Sequence, residues 1–334
     1  MAGAFGGENV ACVSLDPARR LADVLGLPES TNVTPVSDVQ PGQLLTWMPD
    51  SRTSVQALLD AWLPPGDTLR DNHLIRLMGD ALGGMHELAS LVHLPASVPS
   101  DVNHLVVDTA PGVHALEALS APERVRDLFD GPIVRRLIKI FSVVGKPRKR
   151  RWFGASQRMV DALAKAFGER LTIEMADLMT GLGRIQPRIL ALAKQSEATL
   201  RAPTTRAFVV TVPQPKPITS ALRIIGMLEQ TGFRVSGVIV NRTPMAPEPA
   251  LISPTQTAEV NDIMQQMREE NTHRYAVAQA SIERLRKLRP SLPLICLPEF
   301  DASNPASIAR SLAKHPALLE IAGSAGTVVQ AAHG

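Results

Sequence analysis

Five short runs of the chain are apolar almost from end to end: NVACVS (9–14), HLVVD (104–108), RAFVVTV (206–212), VSGVIVN (235–241) and LPLICLP (292–298). A strand with one wet face alternates apolar and polar residues, whereas a strand covered on both faces does not. These runs therefore predict parallel strands buried beneath helices. Segments with helical spacing lie between or after them, from Ile218 to Gln230, Glu259 to Lys287 and Ser307 to Lys314. Alternation of this kind predicts a doubly wound, mainly parallel α/β sheet. In such sheets, ligands gather at the carboxyl ends of the strands.

The alternation stops in the middle. From about 121 to 200 nothing reads as a strand, and a smaller helical block covers about 52–94. The expectation is one domain over 1–334 with two helical additions. A composition of 45% apolar and 20% charged residues fits a globular chain. A net charge of +3, from 35 basic and 32 acidic side chains, gives no argument for nucleic acid. No apolar run is long enough for a bilayer span. The start, MAGAFGGENV, lacks the basic and apolar blocks of a secretory leader. Cys12 and Cys296 sit far apart inside strand-like runs and read as small buried hydrophobes in a reducing compartment, so a cytoplasmic location is expected. The eight histidines form no metal-ligand spacing, and there is no nucleophile elbow of the Gly-x-Ser-x-Gly kind.

The strand ends carry the chemistry. The first run leads into Asp16-Pro17, the second into Asp108-Thr109-Ala110-Pro111, the third into Thr211-Val212-Pro213, the fourth into Asn241-Arg242 and the fifth into Pro298-Glu299. Two aspartates at adjacent tips could share a magnesium ion and a water beside a triphosphate. Taken singly, Asp16 and Asp108 read equally as helix caps, and Asn241 as a turn residue. The group is more specific than any member.

The segments VSLDPARRLADVLG, GGMHEL (83–88), VVDTAPGVHALEALSAPE, FVVTVP, GVIVNR and LPLICLPEF occur in that order. Together they resemble the ArsA-type ATPases, which include arsenical-pump ATPases and the targeting factors for tail-anchored membrane proteins. The resemblance spans residues 9 to about 315. It implies ATP and Mg2+ as ligands and a homodimer, or a heterodimer with a paralogue. It further implies that Asp16 orients the attacking water, that Asp108 holds magnesium, that Asn241 and Arg242 read the adenine, and that Pro298, Glu299 and Phe300 close over the base. Two features differ from the family pattern: Gly112-Val113 stand where Thr-Gly usually precedes the histidine, and Val-Pro-Gln (212–214) stands where Pro-Glu is common. Two cysteines cannot build a three-thiol arsenite site.

Such proteins open with a strand, a glycine-rich GKGGxGK[ST] loop and a helix, all ahead of the DPA strand. In this sequence GAFGGENV precedes the DPA strand, with no lysine and no following Ser/Thr, and it resembles the end of that helix and the turn into the next strand. The resemblance makes the missing strand central in the sheet, so its neighbours would lack ladder partners on one side unless they close up. The expected fold is therefore P-loop NTPase-like, lacking the first strand and P-loop. Backbone N–H groups and the lysine of such a loop supply much of the phosphate binding, so this chain alone is expected to hydrolyse ATP poorly or not at all. A truncated or mis-started reading frame, or a non-hydrolysing interaction subunit that binds a P-loop-bearing paralogue or a hydrophobic client, both follow from that reading.

Within the helical insertion, IVRRLIKIFSVVG (133–145) places Ile133, Leu137, Ile140, Phe141 and Val144 on one face. That face reads as core packing or as a client groove, for which Met159, Met175 and Met179 would be adaptable lining. The basic run KPRKRRWF (146–153) reads as a solvated loop, with an anionic-membrane or nucleic-acid contact as the alternative.

Overall fold

The computed structural model describes residues 2–15, 20–27, 33–37, 39–49, 51–70, 72–75, 99–144, 165, 168–247, 258–300, 305–313 and 328–331. Asp16, GGMHEL, Met159 and the basic run 146–151 lie outside them. The chain forms two compact units, one built from 1–48, 99–116 and 201–334 and the other from 49–98 and 117–200.

The first unit is the sheet. Its strands are β1 (Asn9–Ser14), β2 (Thr34–Pro35), β3 (Gln43–Trp47), β4 (His104–Thr109), β5 (Arg206–Thr211), β6 (Val235–Thr243), β7 (Leu294–Pro298) and β8 (Val328–Ala331), in the spatial order β2-β3-β1-β4-β8-β5-β6-β7. Only β2 pairs antiparallel; the other ladders are parallel. The five apolar runs are all strands of this sheet; Val13, Val107, Val209, Val238 and Val240 are at most 1% exposed, and Ile295 and Leu297 of the fifth run are also buried. Burial on both sides explains why the β5 run does not alternate, whereas β7, at the end of the sheet, buries alternate residues.

Three strands were not anticipated. β3 carries Gln43 and Thr46 among its apolar residues, and β2 has two residues. Thr46 is tolerated at 1% exposure because its Oγ1 donates to the Thr34 carbonyl at 3.2 Å. β8 lies between β4 and β5, so those two strands are not paired with each other.

Helices α1 (Ala2–Phe5), α2 (Arg20–Leu25), α4 (Val113–Leu119), α8 (Pro215–Gln230), α9 (Ala258–Leu288) and α10 (Pro305–Ala313) accompany the strands. The α8 helix packs on β5 and β6 through a face that includes Ile218, Ala221, Ile225 and Leu228, all at most 2% exposed. Their i, i+3, i+7 and i+10 spacing is that of one helix stripe.

The second unit is helical, with α3 (Ser51–Trp62), α5 (Ala121–Asp130), α6 (Pro132–Val144) and α7 (Glu169–Leu200). The long α7 packs against both α5 and α6. Gly183 on α7 permits the close approach of α6, since a Cβ there would meet Ile138 Cγ2 at 2.7 Å, and Gly181 makes room for Leu69 in the segment after α3. The expected single face of α6 resolves differently. Phe141 is buried, Ile138 lies against α7 close to Gly183, and Ile133 is 73% exposed. The inward stripe thus runs through Val134, Ile138 and Phe141, and Ile133 and Leu137 point outward.

A buried carboxylate paired with a half-exposed arginine ties this unit together. Arg184 on α7 donates through Nη1 to Asp67 Oδ2 at 2.5 Å and through Nη2 to Oδ1 at 2.9 Å, and the Leu69 N–H donates to the same Oδ1 at 3.0 Å. The Arg184 hydrogen bonds hold the Asp67 carboxyl below its usual range. Replacing Arg184 leaves a buried carboxylate with one backbone donor. Arg184→Gln is expected to cost about 1–3 kcal/mol in urea unfolding at pH 7. Because the folded pKa is the depressed one, the wild-type advantage is present above the unfolded value, near 4, and fades as pH falls through the folded value. Unfolding followed by circular dichroism at pH 7 and pH 3 measures both.

Candidate functional site

The path of the chain across the sheet places a crevice before any side chain is considered. From β1 the chain moves out to β2 and β3, then returns to the opposite flank of β1 as β4. The order reverses between β1 and β4, and the crevice at their carboxyl ends is where doubly wound sheets take ligands. The residues at that point are Ser14 and Asp108, paired in register. Ser14 Oγ donates to Asp108 Oδ2 at 3.3 Å, and the Leu15 N–H donates to the Asp108 carbonyl at 2.7 Å. Leu15 immediately precedes Asp16 in the sequence.

Buried hydroxyls line this edge. Ser14, Thr109 and Thr211 close β1, β4 and β5 and are each at most 2% exposed. Beyond Thr109, Gly112 has φ +69, and nothing lies within 4 Å of where its Cβ would be. The backbone there takes a left-handed turn that favours glycine, and the turn leads into α4. This accounts for Gly112 at the position where the resemblance suggested a threonine.

The other end of the site is the tip of β6. The β6–β7 register slips between Val240 and Thr243, so Asn241 and Arg242 form a bulge. Arg242 has φ +55, a conformation non-glycine residues rarely adopt. Asn241 Oδ1 accepts from the Arg242 N–H at 2.9 Å and Thr243 Oγ1 donates to the Val240 carbonyl at 3.2 Å, which together support the turn. Bulges next to active sites re-aim side chains in this way. The loop after β7 joins the same tip: the Glu299 N–H donates to the Thr243 carbonyl at 3.2 Å, and Arg274 Nη2 on α9 pairs with Glu299 Oε2 at 3.0 Å. Pro298 and Phe300 flank Glu299 and are half-buried.

The ladders give the spacing between the two ends. Asp108 is level with Gln330 of β8, which is level with Phe208 of β5, which pairs with Gly237 of β6. Asn241 lies four residues beyond Gly237, a rise of about 13 Å, and β6 stands three strand spacings from β4, about 14 Å. Asp108 and Asn241 therefore share one edge of one sheet without touching. A single ligand that meets both must be elongated, with one end at β4 and the other at β6.

Ser14 and Asp108 offer only oxygen donors, and among the described residues no group of three or more His, Cys, Asp or Glu could hold a metal ion. That set fits magnesium, which keeps several waters and binds through one or two carboxylates plus substrate phosphates. Ser14 was missed by the sequence reading; its only signal is a hydroxyl two residues before Asp16 in an otherwise apolar strand.

Cys12 lies two residues before Ser14 on the same face of β1. Burial, with the Asp108 carboxylate adding to it, pushes its thiol up to about 12, and burial also raises Cys296. Reactivity follows the thiolate. Neither cysteine is expected to react with a disulfide reagent at pH 8 on the time scale of the unfolded chain. Because burial is the larger cause, Asp108→Asn leaves Cys12 slow; thiol counting in native and denaturing buffer tests both.

The family model described as anion-transporting ATPase matches residues 3–275. No curated protein matches the chain. No helix among the described residues is long and apolar enough to cross a membrane.

Proposed function

Because the chain belongs to the anion-transporting ATPase family, we propose that it binds magnesium–ATP along the carboxyl edge of its sheet and couples nucleotide state to a partner, as ion-transport or protein-targeting ATPases do. The observation that supports this reading most is the Ser14–Asp108 pair at the β1/β4 reversal on the same edge as the Asn241–Arg242 bulge. In this reading Asp108 holds magnesium through water, with its free rotation limited by the Ser14 hydroxyl. Asn241 and Arg242 meet the adenine, and Pro298, Glu299 and Phe300 cover it. Asp16, one residue past Leu15, orients a water against the terminal phosphate. Bound magnesium supplies charge neutralisation for the phosphates. The given sequence holds no Gly-rich loop with a lysine and a following Ser/Thr, so nucleotide binding by this chain is proposed to outlast turnover.

The partner side of the reading draws on α6. Ile133, 73% exposed, and Leu137 lie among Arg135, Arg136 and Lys139. An apolar pair within a basic helix face suits a hydrophobic segment or a membrane-protein client, or the second chain of a homodimer or paralogue heterodimer. A non-hydrolysing interaction subunit would use the same face.

Calorimetry separates the parts of the site. Asn241→Ala is expected to weaken Mg–ATP by about tenfold, the worth of one good hydrogen bond, and to leave inorganic triphosphate unchanged. Asp108→Asn should remove most of the gain in affinity that magnesium gives, about tenfold to a hundredfold. A wild-type chain that binds neither ATP nor ADP at millimolar concentration refutes the proposal.

A further inference from the structure

Helix α9 runs from Ala258 to Leu288, and only its second half is anchored. Ala278, Ser281, Ile282 and Leu285 are at most 4% exposed, whereas Val260, Ile263, Met264 and Met267 are between 41% and 59% exposed. At about 100° of turn per residue, the latter four fall in one arc of about 100°. An apolar stripe of that spacing is the face of a helix that packs on something, and its two methionines adapt to a partner's shape. The neighbouring arc is acidic, with Glu259, Asp262, Glu269 and Glu270. Asp262 and Glu269 accept from Gln266 and Gln265 at 3.4 and 3.1 Å, neutral donors that leave the charge in place. Four carboxylates against Arg268 give the segment 259–270 a net charge of −3.

That charge narrows what can cover the stripe. A second α9 would bring one acidic arc against another, and an anionic lipid surface would be repelled in the same way. A basic amphipathic helix fits, and α6 of this chain is one. It presents Ile133 and Leu137, 73% and 36% exposed, beside Arg135, Arg136 and Lys139, and it carries no carboxylate. Arg135 also meets Asp130 of its own chain. On each helix the charged arc is centred about 120° from the centre of the apolar arc, in the same rotational sense. Two such helices bring their charged arcs to the same side of the seam only when they run antiparallel. The three cations of α6 then lie beside the acidic arc of α9.

We propose that the N-terminal half of α9 is a docking surface for α6 of a second copy of this chain, with the helices antiparallel and the Val260–Met267 stripe against Ile133 and Leu137. The proposal rests on the second-chain reading of the α6 face given above, and not on nucleotide binding. One contact of a few helical turns is smaller than a standard interface of about 1,600 Å2, so a dissociation constant of about 10–100 µM is expected. The charges lie at the rim of the seam, where salt screens them.

Sedimentation equilibrium on the full chain, from about 5 to 500 µM, tests the pairing. The wild type should self-associate reversibly, and less so in high salt. Asp262→Lys with Glu269→Lys should weaken self-association about tenfold or more, and so should Arg135→Glu with Arg136→Glu. An equal mixture of the two reversed chains should associate about as well as the wild type, because each supplies the charge that the other now needs. A wild type that stays monomeric overturns the proposal. Self-association that either reversed pair leaves intact puts another surface at the interface and also overturns it, as does a mixture that fails to associate. Should a reversed chain not fold by circular dichroism, the neutral pairs Asp262→Asn with Glu269→Gln and Arg135→Gln with Arg136→Gln take its place. Each should weaken association about threefold, and no weakening by either overturns the proposal. Mg–ATP calorimetry on the same chains keeps the readings apart. A chain that associates without binding nucleotide refutes the nucleotide reading alone, and one that binds nucleotide without associating refutes the docking alone.

Discussion

A strand buried on both faces must have hydrogen-bond partners along both edges, because no water reaches its backbone. Much of this protein's sheet unit follows from that requirement. β1 meets it with β3 and β4, β5 with β8 and β6, and β6 with β5 and β7. β4 has β1 on one edge and depends on β8 for the other. The tip of β4 carries Asp108, so the strand most central to the chemistry shares its support between two segments far apart in sequence. Its partner Ser14 is 94 residues away, and Gln330 is farther still. Long-range parallel pairing of this kind fixes geometry well once formed, and it is expensive in chain entropy to assemble.

The same ladders decide what shape of ligand the edge suits. Ser14 and Asp108 stand where the strand order reverses, and the Asn241–Arg242 bulge stands three strands away and one bulge higher. Arg242 at φ +55 is an uncommon conformation kept in place by hydrogen bonds around it. Such conformations persist where surrounding structure over-determines them, and they concentrate at ligand sites. A compact ligand cannot touch both places. A nucleotide can, with its phosphates at the reversal point and its base against the bulge and the Glu299 loop.

The sequence made the five long strands legible because burial strips them of polar residues, on both faces in Phe208–Val210. It located Asp108 and Asn241 at tips for the same reason: the apolar runs stop there. β3 was hidden by Gln43 and Thr46, whose polarity is satisfied by an exposed position and by the Thr34 carbonyl. β8 was hidden for a different reason. Nothing in Val-Val-Gln-Ala says that its partners are 106–109 and 206–209, since a strand's place in a sheet depends on edges left over elsewhere. The outward turn of Ile133 was equally unreadable, because a helix with apolar residues around much of its circumference has two plausible stripes. Choosing between them required the position of Gly183 on α7.

Charge sets the last condition on the site. On the reading proposed above, a triphosphate brings several negative charges to an edge whose described tip residues include the carboxylates of Asp108 and Glu299 and the cation of Arg242. Arg274 answers Glu299, and Arg242 lies at the base end, three strands from β4. At the phosphate end, Asp108 by itself repels the ligand, since like charges at short range disfavour one another in a partly dry crevice. A divalent cation reverses the sign of that contact by lying between carboxylate and phosphate, where it becomes the largest local charge. On the magnesium–ATP reading proposed above, Asp108 acts as a selector: it penalises the bare nucleotide and favours the magnesium complex. The Ser14 hydroxyl, donating to Oδ2, steadies the carboxylate for that task without neutralising it.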